Sequence, residues 1–139
     1  MKKLIIFPIY FFITQAVFSQ SLEKDNLLGL HIIDVKLNPG VTMDEFKSFF
    51  VNEVLPVYEK QWIGLKGHLV KSVRGEYKDK FAIIWVFANE PTRDFYFNAT
   101  GPNQRELDAL DKVKPIEAKL KEKYGTYTVH YQDDWVVQK

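Results

Sequence analysis

The sequence has no cysteine. That absence excludes disulfides, a thiolate metal site, a cysteine nucleophile and a lipid-modified cysteine. It also lacks an excess of either charge: 19 Lys and Arg stand against 18 Asp and Glu, for a formal net charge of +1. A near-neutral chain has no basic footprint for nucleic acid, so no nucleic-acid partner is expected. No Gly-x-Ser-x-Gly, phosphate loop, dinucleotide-binding fingerprint or His-Glu-x-x-His occurs. Serine-hydrolase, nucleotide and zinc-protease chemistries therefore have no signature here. Beyond the N-terminus, no apolar run is long enough to cross a bilayer.

What is present begins with a leader. Lys2 and Lys3 precede a mostly apolar stretch from Leu4 to Val17, and Val17 and Ser19 sit three and one residues before Gln20. This is the basic start, apolar middle and small-residue cleavage pattern of a secretory signal. The stretch is shorter than the roughly 20 residues a membrane helix needs, and Pro8, Thr14 and Gln15 interrupt it. Residues 1–19 are expected to be a cleaved signal. Residues 20–139 are expected to form one exported domain, periplasmic or secreted, with no membrane association after cleavage. Losing Lys2 and Lys3 shifts the formal charge to −1. The remaining length supports one core and not two. Without disulfides, an exported domain must rely on packing or association, and aromatics make up 15% of the full chain.

The pattern of the domain alternates between two periods. His31, Ile33, Val35 and Leu37 alternate with Ile32, Asp34 and Lys36, so Leu27 to Leu37 reads as a strand ended by Asn38-Pro39-Gly40. Thr42 followed by Glu45 is a capping box. Phe46, Phe49, Phe50, Val54, Leu55 and Tyr58 then recur at helical spacing. This predicts a helix over about 43–60, kinked near Pro56, which lacks an amide hydrogen. Gly64 and Gly67 bracket a turn before a second strand, His68 to Arg74. Tyr77 to Lys80 connects it to a third, Phe81 to Phe87, which is apolar on both faces and so expected to be central and covered on both sides. A short helical segment starts at Pro91-Thr92-Arg93-Asp94 and carries Phe95, Tyr96 and Phe97. Leu107, Leu110, Val113, Ile116, Leu120 and Tyr124 mark a second long helix, bent at Pro115 and capped by Gly125. Tyr127 to Val137 alternates again as the last strand. The order β-α-β-β-α-β predicts a ferredoxin-like α+β domain, an antiparallel sheet with two helices on one face.

Phe46 to Gly64, with Leu55-Pro56-Val57 late in the helix and a glycine just beyond, resembles the dimeric α/β-barrel superfamily, as does the hairpin ending in Phe81 to Phe87. That superfamily includes antibiotic-biosynthesis-type monooxygenases and NIPSNAP-like proteins. The resemblance implies a homodimer of face-to-face sheets and a pocket between sheet and helices in each subunit. Members include cofactor-free oxygenases, small-ring isomerases, haem-binding enzymes and proteins without known activity, so fold does not settle function. Haem-degrading members place an iron-ligating histidine on the second helix. This chain has none between Thr92 and Tyr124, leaving only Tyr96 or Tyr124 as stand-ins.

His31, His68 and His130 are the only histidines, all on predicted strands. The ferredoxin-like order sets the first strand beside the last, so His31 and His130 are expected to approach each other. A metal would need a third ligand there, with Asp34 or Asp133 on offer. No compact ligand motif exists and strand histidines are commonly hydrogen-bonded, so no metal and no cofactor are expected. His31 and His130 are the candidate acid and base, because imidazole titrates near neutral pH. Trp62, Trp85, Phe95 and Tyr96 are the candidate pocket lining, although aromatics are equally at home in cores and interfaces. The Arg74/Glu76 and Arg93/Asp94 pairs read as surface charge or caps. Asn98-Ala99-Thr100 matches a glycosylation triplet, a pattern that also arises by chance.

The residues support an exported dimeric module that binds a small apolar or aromatic molecule. One alternative is a cofactor-free monooxygenase or isomerase acting on a small ring compound. Another is an interaction subunit of an envelope complex.

Overall fold

The computed structural model describes residues 22–98 and 101–139. The predicted signal, residues 1–19, lies outside the described residues, and of the Asn98-Ala99-Thr100 triplet only Asn98 is described.

Strand β1 is Leu27–Leu37, with the boundaries its alternation predicts. Helix α1 is Met43–Phe49, opened by the capping box: the Glu45 amide donates to Thr42 Oγ1 at 3.3 Å, and the Thr42 amide donates to Glu45 Oε2 at 2.8 Å. Instead of a continuous α-helix with a kink, a π-helical turn, Phe50–Val54, follows directly and leads into α2, Leu55–Gln61. The physical reason is Pro56. In a regular α-helix its ring would collide with the carbonyl one turn back. The wider turn, in which the Leu55 amide reaches the Phe50 carbonyl, absorbs one residue before the proline. Phe46, Phe49, Phe50, Val54 and Leu55 stay buried through this change. Burying each such side chain contributes roughly 1.5–3 kcal/mol.

Strand β2 is Leu65–Lys71, earlier in the chain than predicted. Gly64, at φ +82°, makes the turn alone. Gly67 lies inside the strand, because the Trp85 indole lies across it: a β-carbon there would come within 2.6 Å of the ring. The hairpin loop correspondingly begins at Ser72, whose amide donates to the Lys80 carbonyl at 2.9 Å. Strand β3 is Phe81–Phe87.

The short helix α3, Glu90–Asp94, ends before the aromatic triplet. Phe95 caps it, and Phe97 opens a small hairpin of β4, Phe97–Asn98, and β5, Gly101–Pro102. The three aromatics are thus not on one helix. Helix α4, Gln104–Lys123, is capped by Asn103 and spans Pro115 without interruption. Its C-cap is Tyr124, and Gly125 opens the last strand, β6, Gly125–Val136.

The sheet order is β2-β3-β1-β6, with every neighbour antiparallel. With α1–α2 and α4 as the two crossovers, this is the ferredoxin-like α+β fold. β3 is an inner strand, as its composition predicts. Leu27, Ile33, Ile83, Trp85 and Phe87 meet Phe46, Phe50, Val54, Val113 and Leu120 in the core.

The other face carries Leu28, Leu30, Ile32, Ala82, Ile84 and Val86, none of them in that core. Tyr77 and Lys80 of the hairpin loop line a hollow with Leu30, Ile32 and Ala82 at one end. Leu28, Ile84 and Val86 are half-buried, and Trp135, opposite Leu28 on β6, is 55% exposed. The chain before β1 does not cover this face among the described residues. Hydrogen bonds of 2.9 Å between Asp25, Asn26 and Val137 hold it at the end of the β1–β6 pair.

Candidate functional site

Between the sheet and the helices lies a cavity of about 260 Å³. Its aromatic wall follows from local chain geometry. Gly67 leaves room on β2 for Trp85 of β3 to lie flat. Tyr58 of α2 stacks on Trp85, at 5.3 Å between ring centroids, and on Trp62 at 5.2 Å. The result is a three-ring stack, Trp62–Tyr58–Trp85, with Tyr127 of β6 on the cavity wall as well.

Polar groups are placed around that stack. Trp85 Nε1 donates to His31 Nδ1 at 3.2 Å. This bond requires Nδ1 to be unprotonated and leaves the ring hydrogen on Nε2. Burial lowers the His31 pKa, and the Asp134 carboxylate opposes this only in part, so the imidazole is neutral at neutral pH. Trp62 Nε1 donates to Glu106 Oε2. Glu106 is only 6% exposed, and burial raises its carboxyl pKa against that hydrogen bond. The hydroxyls of Tyr58 and Tyr127 both donate to Glu117 Oε1, at 2.8 and 3.2 Å. Burial pushes both phenols well above their ordinary range, so they remain donors. Leu110, Val129 and Gln132 are the exposed members of the lining and mark where the cavity opens.

Of the residues singled out in the sequence, His31, Trp62 and Trp85 come together in this cavity. The expected approach of His31 and His130 does not occur. β1 and β6 are neighbours, but a bulge opposite Ile32 and Ile33 leaves His130 without a partner in the register. Its Nε2 lies 2.6 Å from Asp34 Oδ2, and Asp34 also takes Lys80 at 2.5 Å. Asp34 lies an odd number of residues from His31 on the same strand, so it and His130 belong to the opposite face. The hydrogen bond from Lys80, with help from His130, holds the Asp34 carboxyl below its usual range. No group of three metal-ligating side chains forms among the described residues.

Phe95 and Tyr96 line a different hollow, of about 330 Å³, with Ile63, Pro91 and Thr92. Tyr96 is buried behind Trp62, and its hydroxyl accepts from the Ile63 amide at 2.7 Å. It positions the cavity wall from outside. Phe95 is half-exposed beneath the Arg105 guanidinium, 3.9 Å from its ring centre.

Sequence reasoning missed Tyr58, Glu106, Glu117 and Tyr127. A signal existed for the glutamates. Glu106, Ala109, Val113, Glu117 and Leu120 recur at helical spacing, and two acids on an otherwise apolar stripe are out of place. The leucine-based stripe pointed elsewhere, and Leu107 is in fact 45% exposed.

No protein-family model and no curated protein matches the chain. Among solved structures, it is similar to a dimeric protein of unknown function and ferredoxin-like fold from Bacteroides fragilis. The two are 16% identical with a TM-score of 0.35, over 78% of this chain and 95% of that one. Among the described residues, no helix is long and apolar enough to cross a membrane.

Proposed function

We propose that the protein is an exported homodimeric module that holds one small, largely apolar ring compound in the cavity between sheet and helices. The observation that carries this is the cavity itself: about 260 Å³, walled by the Trp62–Tyr58–Trp85 stack, with few polar groups at fixed positions. The dimer rests on the opposite face. A four-stranded sheet presenting Leu28, Ile84, Val86 and Trp135 is suited to a second copy of itself, as in the dimeric α/β barrels that the sequence resembles. Export rests on the leader pattern of residues 1–19.

Native mass spectrometry of the purified protein tests this. Twice the chain mass with a small-molecule increment per subunit is expected. A bare monomer overturns both the dimer and the retained ligand.

A second reading is favoured by His31. A neutral imidazole, tautomerically fixed by Trp85 with its hydrogen on Nε2 and lining the cavity, is suited to donate that hydrogen bond to an oxygen of a bound ring compound, stabilising the negative charge that a cofactor-free oxygenase or isomerase develops there. Under that reading, a dimer without increment is expected, together with turnover that His31→Ala abolishes. Turnover that survives His31→Ala sinks it.

A further inference from the structure

The cavity has an unbalanced wall. Glu106 is more than nine-tenths buried, and its bond from Trp62 is the only hydrogen bond that its carboxyl makes among the described residues. Among the described residues, no lysine or arginine lines the cavity. The phenols of Tyr58 and Tyr127 are committed to Glu117, a second acid. His31 contributes no positive charge, since Trp85 donates to its Nδ1. A desolvated carboxyl without a cationic partner is costly to keep. The buried carboxyl on this wall disfavours an anion and favours a positive charge carried on an apolar body.

We propose that the cavity takes a small protonated amine, its ammonium on Glu106 and its apolar body against the Trp62–Tyr58–Trp85 stack. The proposal rests on the reading that the cavity holds one small ring compound, and adds the charge of that compound. The volume of about 260 Å³ lies just below the usual range for drug-sized ligands, which restricts the ligand to about one ring with a short arm.

Calorimetric titration of the purified protein with benzylamine, benzyl alcohol and benzoate tests it, in the wild type and in Glu106→Gln. The glutamine keeps an acceptor for Trp62 and removes the charge. Benzylamine is expected to bind at least about tenfold tighter than benzyl alcohol, the step a charge-assisted hydrogen bond supplies, with benzoate weakest. Glu106→Gln is expected to erase that preference. If benzyl alcohol binds as tightly as benzylamine, or if the preference survives in Glu106→Gln, the amine proposal is overturned while the ring-compound reading stands. If none of the three binds the wild type, both fall.

Discussion

Glu106 illustrates how one side chain can work against the stability of its own fold. Its folded pKa is raised above the unfolded value, so the native state prefers the neutral acid. The contribution is at its most favourable below the unfolded pKa, about 4.3, and is lost as pH rises through the raised folded value. Glu106→Gln is therefore expected to melt higher than the wild type at pH 8, with the gap closing towards pH 4. Thermal denaturation across that range checks it, and a gap that widens at low pH refutes it. His31, Tyr58 and Tyr127 are the other titratable groups on the cavity wall. His31 ionises more readily once unfolded, so the comparison must be variant against wild type at each pH. Gly67 poses the opposite problem. A methyl group there meets Trp85 at 2.6 Å and Leu55 at 2.9 Å. Gly67→Ala should cost roughly 1–3 kcal/mol, the usual penalty of overpacking, and should alter the near-ultraviolet circular dichroism of the indole stack. An unchanged denaturation midpoint would mean that Trp85 does not lie across Gly67.

At the scale of elements, the first helix stands on its cap. Thr42→Ala should cost about 1 kcal/mol at neutral pH, measured by chemical denaturation. The Thr42 amide and hydroxyl hold the Glu45 carboxyl below its ordinary pKa, so this half of the box contributes above the unfolded value and is lost as pH falls through the folded one. The penalty of Thr42→Ala should accordingly shrink in acid. Elements whose signals are local were legible in the sequence: β1 from its alternation, the α1 start from Thr42 and Glu45, and β3 from its unbroken apolar run. What escaped was set by contacts distant in sequence. β2 begins at Leu65 because Trp85 needs Gly67 inside the strand, which made a strand glycine look like a turn. The π-helical turn before Pro56 solves a steric conflict that composition shows only as a proline. His130 pairs with Asp34 because a bulge shifts the register, and alternation alone cannot reveal a bulge. In the site, the tryptophans and His31 were visible as residue types. Glu106 and Tyr58 acquire their roles only through the packing of α4 and α2 against the sheet.

At the scale of the whole molecule, the two faces of the sheet have separate tasks. One closes the core and the cavity, and the other is the face proposed to receive a second copy. Ile84 lies on the outward side of inner strand β3, half-buried and outside the core. Ile84→Lys should therefore leave the monomer folded while placing like charges across the proposed interface. Analytical ultracentrifugation should show half the wild-type mass with circular dichroism unchanged. A dimer that persists would place the interface elsewhere.

The three tryptophans divide between these faces. Trp62 and Trp85 are nearly inaccessible beside the cavity, and Trp135 is half-exposed on the outward face. The chain thus carries its own optical labels, one set for each proposed encounter. In wild-type protein, collisional quenching by acrylamide should reach Trp135 until a second copy shields it. With Trp135 replaced by phenylalanine, the remaining emission should respond only to what enters the cavity.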